Sequence, residues 1–127
     1  MIALLDTGVF LWWLDDPGRL SEAALQEISD RANTIIVSAV VPWELAVKSS
    51  LGKVRAQTLL AQWPSRLALL DFRELAIHSE HAIRAGLLPR HHHDPFDRLL
   101  IAQSVATAWP VITPDKIFET YGVRRIW

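Results

Sequence analysis

MIALLDTGVFLWWL, residues 1–14, opens with five apolar residues, places an acid at Asp6 and continues as a helix-like segment over 7–14. A short unbroken apolar run is the pattern of a strand buried on both faces, as in the middle of a parallel sheet. The same order returns downstream. Thr34–Ser38 (TIIVS) is β-branched and reads as a second strand, followed by a helix over about 40–50 with Pro42 in its first turn and Gly52 beyond its end. Val111 and Ile112 form the middle of a further strand, Pro114–Tyr121 a short helix, and Val123–Trp127 a last strand.

Between these landmarks, Asp15-Asp16-Pro17-Gly18 is a breaker cluster and Ser21 caps a polar helix over about 22–32. A short helix is expected at 56–66, a strand at Leu67–Phe72, a helix at 76–85, loop at Gly86–His93 and a well-formed helix at about 95–108. Strands alternating with helices predict an α/β three-layer sandwich around a central, mostly parallel sheet, in one domain spanning 1–127. In such folds ligands gather at the carboxyl ends of the strands.

Composition narrows the chemistry. Without cysteine, thiolate zinc sites, iron–sulfur clusters and disulfides are excluded. With no apolar run near the roughly 18 residues a membrane helix needs, and with MIALLD lacking a basic n-region and interrupted by Asp6, the expectation is a cytoplasmic protein with no membrane association. Thirteen Lys and Arg against fourteen Asp and Glu give a net charge of −1, which alone does not favour a polyanionic partner.

Four acids fall at strand ends or early in helices: Asp6 after the first strand, Glu44 in the helix after the second, Asp97 in the first turn of the 95–108 helix, and Asp115 after Val111–Ile112. Crowded carboxylates repel, and one or more has its pKa raised unless a cation joins them. Hard oxygen donors suit Mg²⁺ or Mn²⁺, and one or two such ions can drive phosphodiester hydrolysis without a nucleophilic side chain. Each acid also has a plainer reading. Asp6 could cap the helix beginning at Thr7, Glu44 could complement a helix dipole, and Asp115 could serve the first turn of its own helix. Asp94-Pro95-Phe96-Asp97 fits a helix start with Asp94 as N-cap and Asp97 at N3, and capping is the preferred role for Asp94. Capping explains each position singly, but not why all four share one sheet edge.

Other residues attract a functional reading that the pattern does not support. His91-His92-His93 reads as a solvated loop, because consecutive residues rarely converge on one ion. His78 and His81 share a helix face, taken as exposed, with no third ligand placed. Trp12, Trp13 and Trp43 lie beside the acidic motifs; core packing is the default, and any exposed ring is a candidate for a protein interface. Lys48 and Arg98 flank the acids, and Arg98 could orient a carboxylate or phosphate or form a structural ion pair.

LLDTGVFLWWL at 4–14, VSAVVPWELAVKSSLGKV at 37–54, HHHDPFDRLLIAQ at 91–103 and VITPDKIFETYGVRRIW at 111–127, in this order and spacing, resemble a PIN-domain protein of the VapC toxin type over essentially the whole chain. The resemblance implies a parallel sheet of about five strands. It also implies a Mg²⁺ or Mn²⁺ site of Asp6, Glu44, Asp97 and Asp115, with Thr7, Asp94, Thr113 and Arg98 in support. The implied activity is metal-dependent endonucleolytic hydrolysis of RNA to a 5′-phosphate and a 3′-hydroxyl, inhibiting translation. A cognate antitoxin would neutralise it, with a homodimer or a larger assembly bound to DNA through the antitoxin as the expected form. Gly8 departs from the histidine usual in such proteins and bears on substrate contacts more than on metal.

The rivals fit less well. A haloacid-dehalogenase-type phosphatase needs a second Asp where Gly8 stands, and a phosphoacceptor receiver domain needs an acidic pair after its first strand. The alternative from another class is a non-catalytic PIN domain acting as a binding or regulatory partner, against which the full set of four acids argues.

Overall fold

Ile2–Leu5 (β1) lies at the centre of a five-stranded sheet in a computed structural model that describes residues 1–127. The other strands are Thr34–Ser38 (β2), Arg73–Leu75 (β3), Val111–Ile112 (β4) and Arg125–Ile126 (β5), in the spatial order β3-β2-β1-β4-β5. Every pairing is parallel, with Leu4 opposite Ile36 on one side and Val111 on the other. The expected sheet of about five strands is therefore present and wholly parallel.

Side-chain alternation along the central strands builds the two flanking layers. Ala3, Leu5, Ile35, Val37 and Ile112 join a core with Phe10, Leu45, Trp63 and Phe72. Leu4, Ile36 and Val111 point the other way, against Leu100, Ile101, Phe118 and Val123. Leu4, Leu5, Val111 and Ile112 are fully buried, and each such side chain contributes about 1.5–3 kcal/mol relative to exposure. This two-sided burial is why the strands read as continuous apolar runs.

The helices are Thr7–Asp15 (α1), Glu22–Ser29 (α2), Val40–Ser50 (α3), Gln57–Ala61 (α4), Trp63–Leu70 (α5), Ser79–Leu87 (α6), Pro95–Thr107 (α7) and Ile117–Thr120 (α8). Ser21 caps α2, its Oγ accepting from the Ala24 N–H at 3.1 Å, as its sequence position predicts. No helix is long and apolar enough to cross a membrane.

Two expectations are corrected. Leu67–Phe72 is not a strand: residues 67–70 finish α5, and the strand begins at Arg73. Trp63, Leu67 and Leu70 recur at helical spacing, and Asp71 ends the helix in the left-handed region at φ 57°. The helix expected at 56–66 is in fact two, divided at Gln62 just before Pro64 enters the first turn of α5.

The exposed reading of His81 is also corrected, since it is only 4% exposed. Its Nδ1 accepts from the His78 backbone N–H at 3.1 Å and lies 3.3 Å from Gln103 Nε2. Gln103, wholly buried on α7, also donates to the Ala76 carbonyl and accepts from the Ser38 hydroxyl at the end of β2. This buried polar chain ties α6 and α7 to the sheet.

The carboxyl end of α7 carries a correctable strain. Ala108 sits at φ 59°, where an L side chain costs about 1 kcal/mol that glycine avoids. Ala108→Gly should stabilise the protein by about 0.5 kcal/mol after the greater flexibility of the unfolded chain is allowed for. Urea unfolding would register this as a higher midpoint at unchanged slope.

Candidate metal centre

The sheet order sets where a site can form. The chain leaves β1 toward β2 and β3 on one side, then crosses to β4 and β5 on the other, so the reversal lies between the carboxyl ends of β1 and β4. Asp6 follows β1 and Thr113 follows β4, and the two meet across this point: Thr113 Oγ1 donates to Asp6 Oδ2 at 2.7 Å. The same hydroxyl accepts from the Asp115 backbone N–H at 3.1 Å. Thr113 is fully buried and thus orients two acid-bearing segments.

The capping reading separates the acids. Asp6 stands at the N-cap of α1 in extended conformation, yet its side chain makes no capping bond. Its carboxylate is turned to Thr113 instead. Burial pushes its pKa up, and the negative charges of Glu44 and Asp115 push it the same way, opposed by the hydrogen bond it accepts from Thr113. Asp94 is a cap: its Oδ1 accepts from the backbone N–H groups of Phe96 and Asp97 at 2.9 and 3.1 Å. Asp115 does both, its exposed carboxylate accepting from the Ile117 N–H at 3.0 Å while it faces the cluster.

Glu44 lies one turn into α3, buried at 6% exposure, and pairs with Lys48 one turn on at 2.5 Å. Hydrogen bonding to Glu44 is the main reason the Lys48 pKa is raised, with Asp94 and Asp97 adding to it. Lys48 thus serves as a built-in counter-cation. Above this pair the exposed Trp43 ring meets Phe96 edge-on at 4.6 Å, joining α3 to α7 beside the acids. Trp12 and Trp13 are both half-buried, packing on Trp127 and Phe72 respectively, and Arg19 lies over the Trp12 ring at 4.5 Å.

The Asp97 carboxyl is also shifted well above the ordinary range. Desolvation, with Asp6 and Asp94 nearby, holds its carboxyl at about 6, against an ordinary 3.8, although a hydrogen bond from His92 opposes the shift. That partner departs from the reading of residues 91–93 as a merely solvated loop: His92 Nε2 lies 2.8 Å from Asp97 Oδ2. Donor atoms of His92, Asp97 and Asp115 all lie within 4.8 Å of one another. His91 and His93 remain exposed.

Arg98 also has a different role from the one its position suggests. It is buried and pairs with no acid; its guanidinium donates to the carbonyls of Ala85, Leu88, Pro89 and His92 at 2.7–3.1 Å. It closes the end of α6 and holds the 88–92 loop in place. Tyr121 was not singled out from sequence, yet its hydroxyl accepts from the His92 N–H at 2.9 Å and donates to Pro89 O at 2.7 Å. The available clue to His92 was its place two residues before the Asp94 cap, where the chain can fold back over the first turn of α7.

The sequence profile of the PIN domain matches residues 3–123. The chain belongs to the PIN-domain family. Ribonuclease VapC22 of Mycobacterium tuberculosis is 33% identical over 119 residues, covering 93% of this PIN domain and 90% of that protein. Among solved structures, VapBC2 from Rickettsia felis bound to a promoter DNA fragment superposes with a TM-score of 0.70 at 17% identity, covering 98% of this chain and 97% of that one. FitAcB from Neisseria gonorrhoeae gives 0.64 at 20% identity over 98% and 96%. A toxin–antitoxin complex from Klebsiella pneumoniae gives 0.57 at 20% over 89% and 86%. These likenesses establish the three-layer α/β fold.

Gly8, in the first turn of α1 of this PIN domain, has open space where a Cβ would stand, so the backbone there tolerates a larger residue. The raised pKa of Asp97 gives a signed prediction. Between about pH 4 and 6 the folded state holds a proton that the unfolded state has lost, so metal-free stability falls as pH rises through that window. In EDTA, Asp97→Asn should be at least as stable as wild type at pH 7, with a flatter stability profile between pH 4 and 6. Destabilisation of the metal-free variant at pH 7 would show instead that Asp97 acts mainly as a helix-start residue.

Proposed function

We propose that this PIN domain is a metal-dependent endoribonuclease, the toxin of a toxin–antitoxin pair, which hydrolyses RNA phosphodiester bonds and so inhibits translation. The observation that carries the reading is the pair of raised carboxyls, Asp6 and Asp97, at the reversal point of the sheet. Desolvated, mutually repelling acids destabilise the fold unless a cation neutralises them. Only Glu44 has a lysine of its own. The kinship with Ribonuclease VapC22 supports RNA as the substrate class.

The donor set fits a hard divalent ion. Asp6, Glu44, Asp97 and Asp115 would hold Mg²⁺ or Mn²⁺, one or two per site, with Thr113 fixing Asp6. Such an ion supplies charge neutralisation for the scissile phosphate and an acidified water as nucleophile. The protein's own contribution is orientation. Thr113 holds the Asp6 carboxylate against rotation, the Asp94 cap fixes the first turn of α7 that carries Asp97, and α3 delivers Glu44 already paired. Thr7, buried directly beside Asp6, begins α1 and so fixes where that acid leaves the strand. Lys48 offers a cation beside the acids for RNA phosphate.

A protein antitoxin is the proposed partner, in keeping with the toxin–antitoxin complexes that share the fold, and a homodimer or larger assembly bound to DNA through the antitoxin is the proposed form. The half-buried Trp12 and the exposed Trp43 are surfaces such partners could use.

Antitoxin-free protein with Mn²⁺ or Mg²⁺ should cleave cellular RNA, leaving 5′-phosphate ends, and EDTA should abolish cleavage. Asp6→Asn should lower the rate by at least about a hundredfold, in the range of losses seen when a key electrostatic group is removed from an active site. Absence of cleavage across diverse RNAs with either ion would favour the non-catalytic PIN domain.

A further inference from the structure

His92 is placed with more care than a loop histidine requires. Its backbone N–H donates to Tyr121 Oη at 2.9 Å, and its carbonyl accepts from Arg98 Nη1 at 3.1 Å. Arg98 and Tyr121 also share the Pro89 carbonyl, at 3.0 and 2.7 Å, so the loop is held from α7 and from the turn after α8. The outcome of this bracing is an imidazole nitrogen 2.8 Å from Asp97 Oδ2, with Asp115 completing a trio of donors within 4.8 Å.

We infer that His92 is a nitrogen ligand of the divalent cation, making the centre a mixed nitrogen–oxygen site that prefers a transition ion such as Mn²⁺ to Mg²⁺. The inference rests on the proposed carboxylate site and adds a donor that the four acids do not supply. Its basis is geometric. Neighbouring donors around a six-coordinate ion with bonds of about 2.1 Å stand about 3 Å apart. The His92 and Asp97 atoms already have that spacing, and Asp115 lies within reach of both. A neutral imidazole binds first-row transition ions well, whereas Mg²⁺ favours oxygen and water. A histidine that only hydrogen-bonded to Asp97 would ease that one carboxylate, and would leave the discrimination between ions unchanged.

Mn²⁺ bound substoichiometrically to wild-type protein is the probe, read by electron spin-echo modulation. Nitrogen coupling from a directly bound imidazole is expected, with its pattern altered by ¹⁵N-histidine labelling and lost in His92→Gln. In parallel, the Mn²⁺ dissociation constant should rise about tenfold in His92→Gln while that for Mg²⁺ changes less than about threefold. The wild-type spectrum carries the test even if the variant folds poorly. Bound Mn²⁺ without nitrogen coupling, or equal losses for both ions, would overturn the assignment of His92 and leave the carboxylate site standing. Failure of wild-type protein to bind Mn²⁺, or equal binding by Asp97→Asn, would overturn the carboxylate site itself.

Discussion

The parallel insertion of β1 between β2 and β4 is the constraint on which the molecule turns. A strand paired on both edges and packed on both faces must be apolar along its length, and Ala3, Leu4 and Leu5 meet that demand. Parallel pairing also brings every strand's carboxyl end to one side. Whatever follows β1, β2 and β4 is thereby collected at a single edge, and in this chain acids follow: Asp6 directly, Glu44 in α3 and Asp115 beyond Thr113. Asp97 reaches the same edge from the start of α7, which packs on the sheet through Leu100 and Ile101. The clustering of these acids is a consequence of strand order, with no long loop needed to assemble it.

Gathering acids in this way has a cost that the rest of the structure partly offsets, differently for each one. Glu44 is buried but has Lys48 at one helical turn. Asp6 has the Thr113 hydroxyl, a neutral donor that orients without cancelling charge. Asp97 has His92, and its carboxyl is nevertheless held near 6. Asp115 remains in solvent, where its charge costs little. Asp6 and Asp97, more buried than Asp115 and with no lysine partner, are the two whose carboxyls are pushed up by desolvation.

How far this could be read from sequence depends on whether the deciding contact is local. Strands β1 and β2 and helix α7 were legible because burial imposes an unbroken apolar run, and because Asp94-Pro95 is a capping signal contained within a few residues. The four acids were legible as positions after such elements. The stretch 67–72 was not, since a short apolar run serves equally for the last turn of a buried helix and for a strand, and the Asp71 turn that decides it depends on packing around Trp63 and Leu67. His81 looked exposed because its burial comes from α7, through Gln103, which lies 22 residues away. Arg98 looked like a group that orients a carboxylate or phosphate, or forms an ion pair, because charge next to an acid suggests pairing, whereas its four partners are backbone carbonyls that no side-chain pattern displays.

That last case ties the fold to the chemistry. A guanidinium has five donors in a rigid plane, and burying it without partners would be prohibitive. Spending four bonds on carbonyls of 85–92 secures the charge and, by the same act, denies the loop its freedom. Lysine could not substitute, having three donors on a flexible stem and none of the planar geometry. Because Arg98 directly follows Asp97 on α7, one turn of helix sends a carboxylate toward the other acids and a clamp into the core behind it. The histidine that meets the carboxylate is therefore positioned by the carboxylate's own neighbour. The loop bearing His92 is thus tied to the same helix that carries Asp97, and independently to Tyr121 beyond α8.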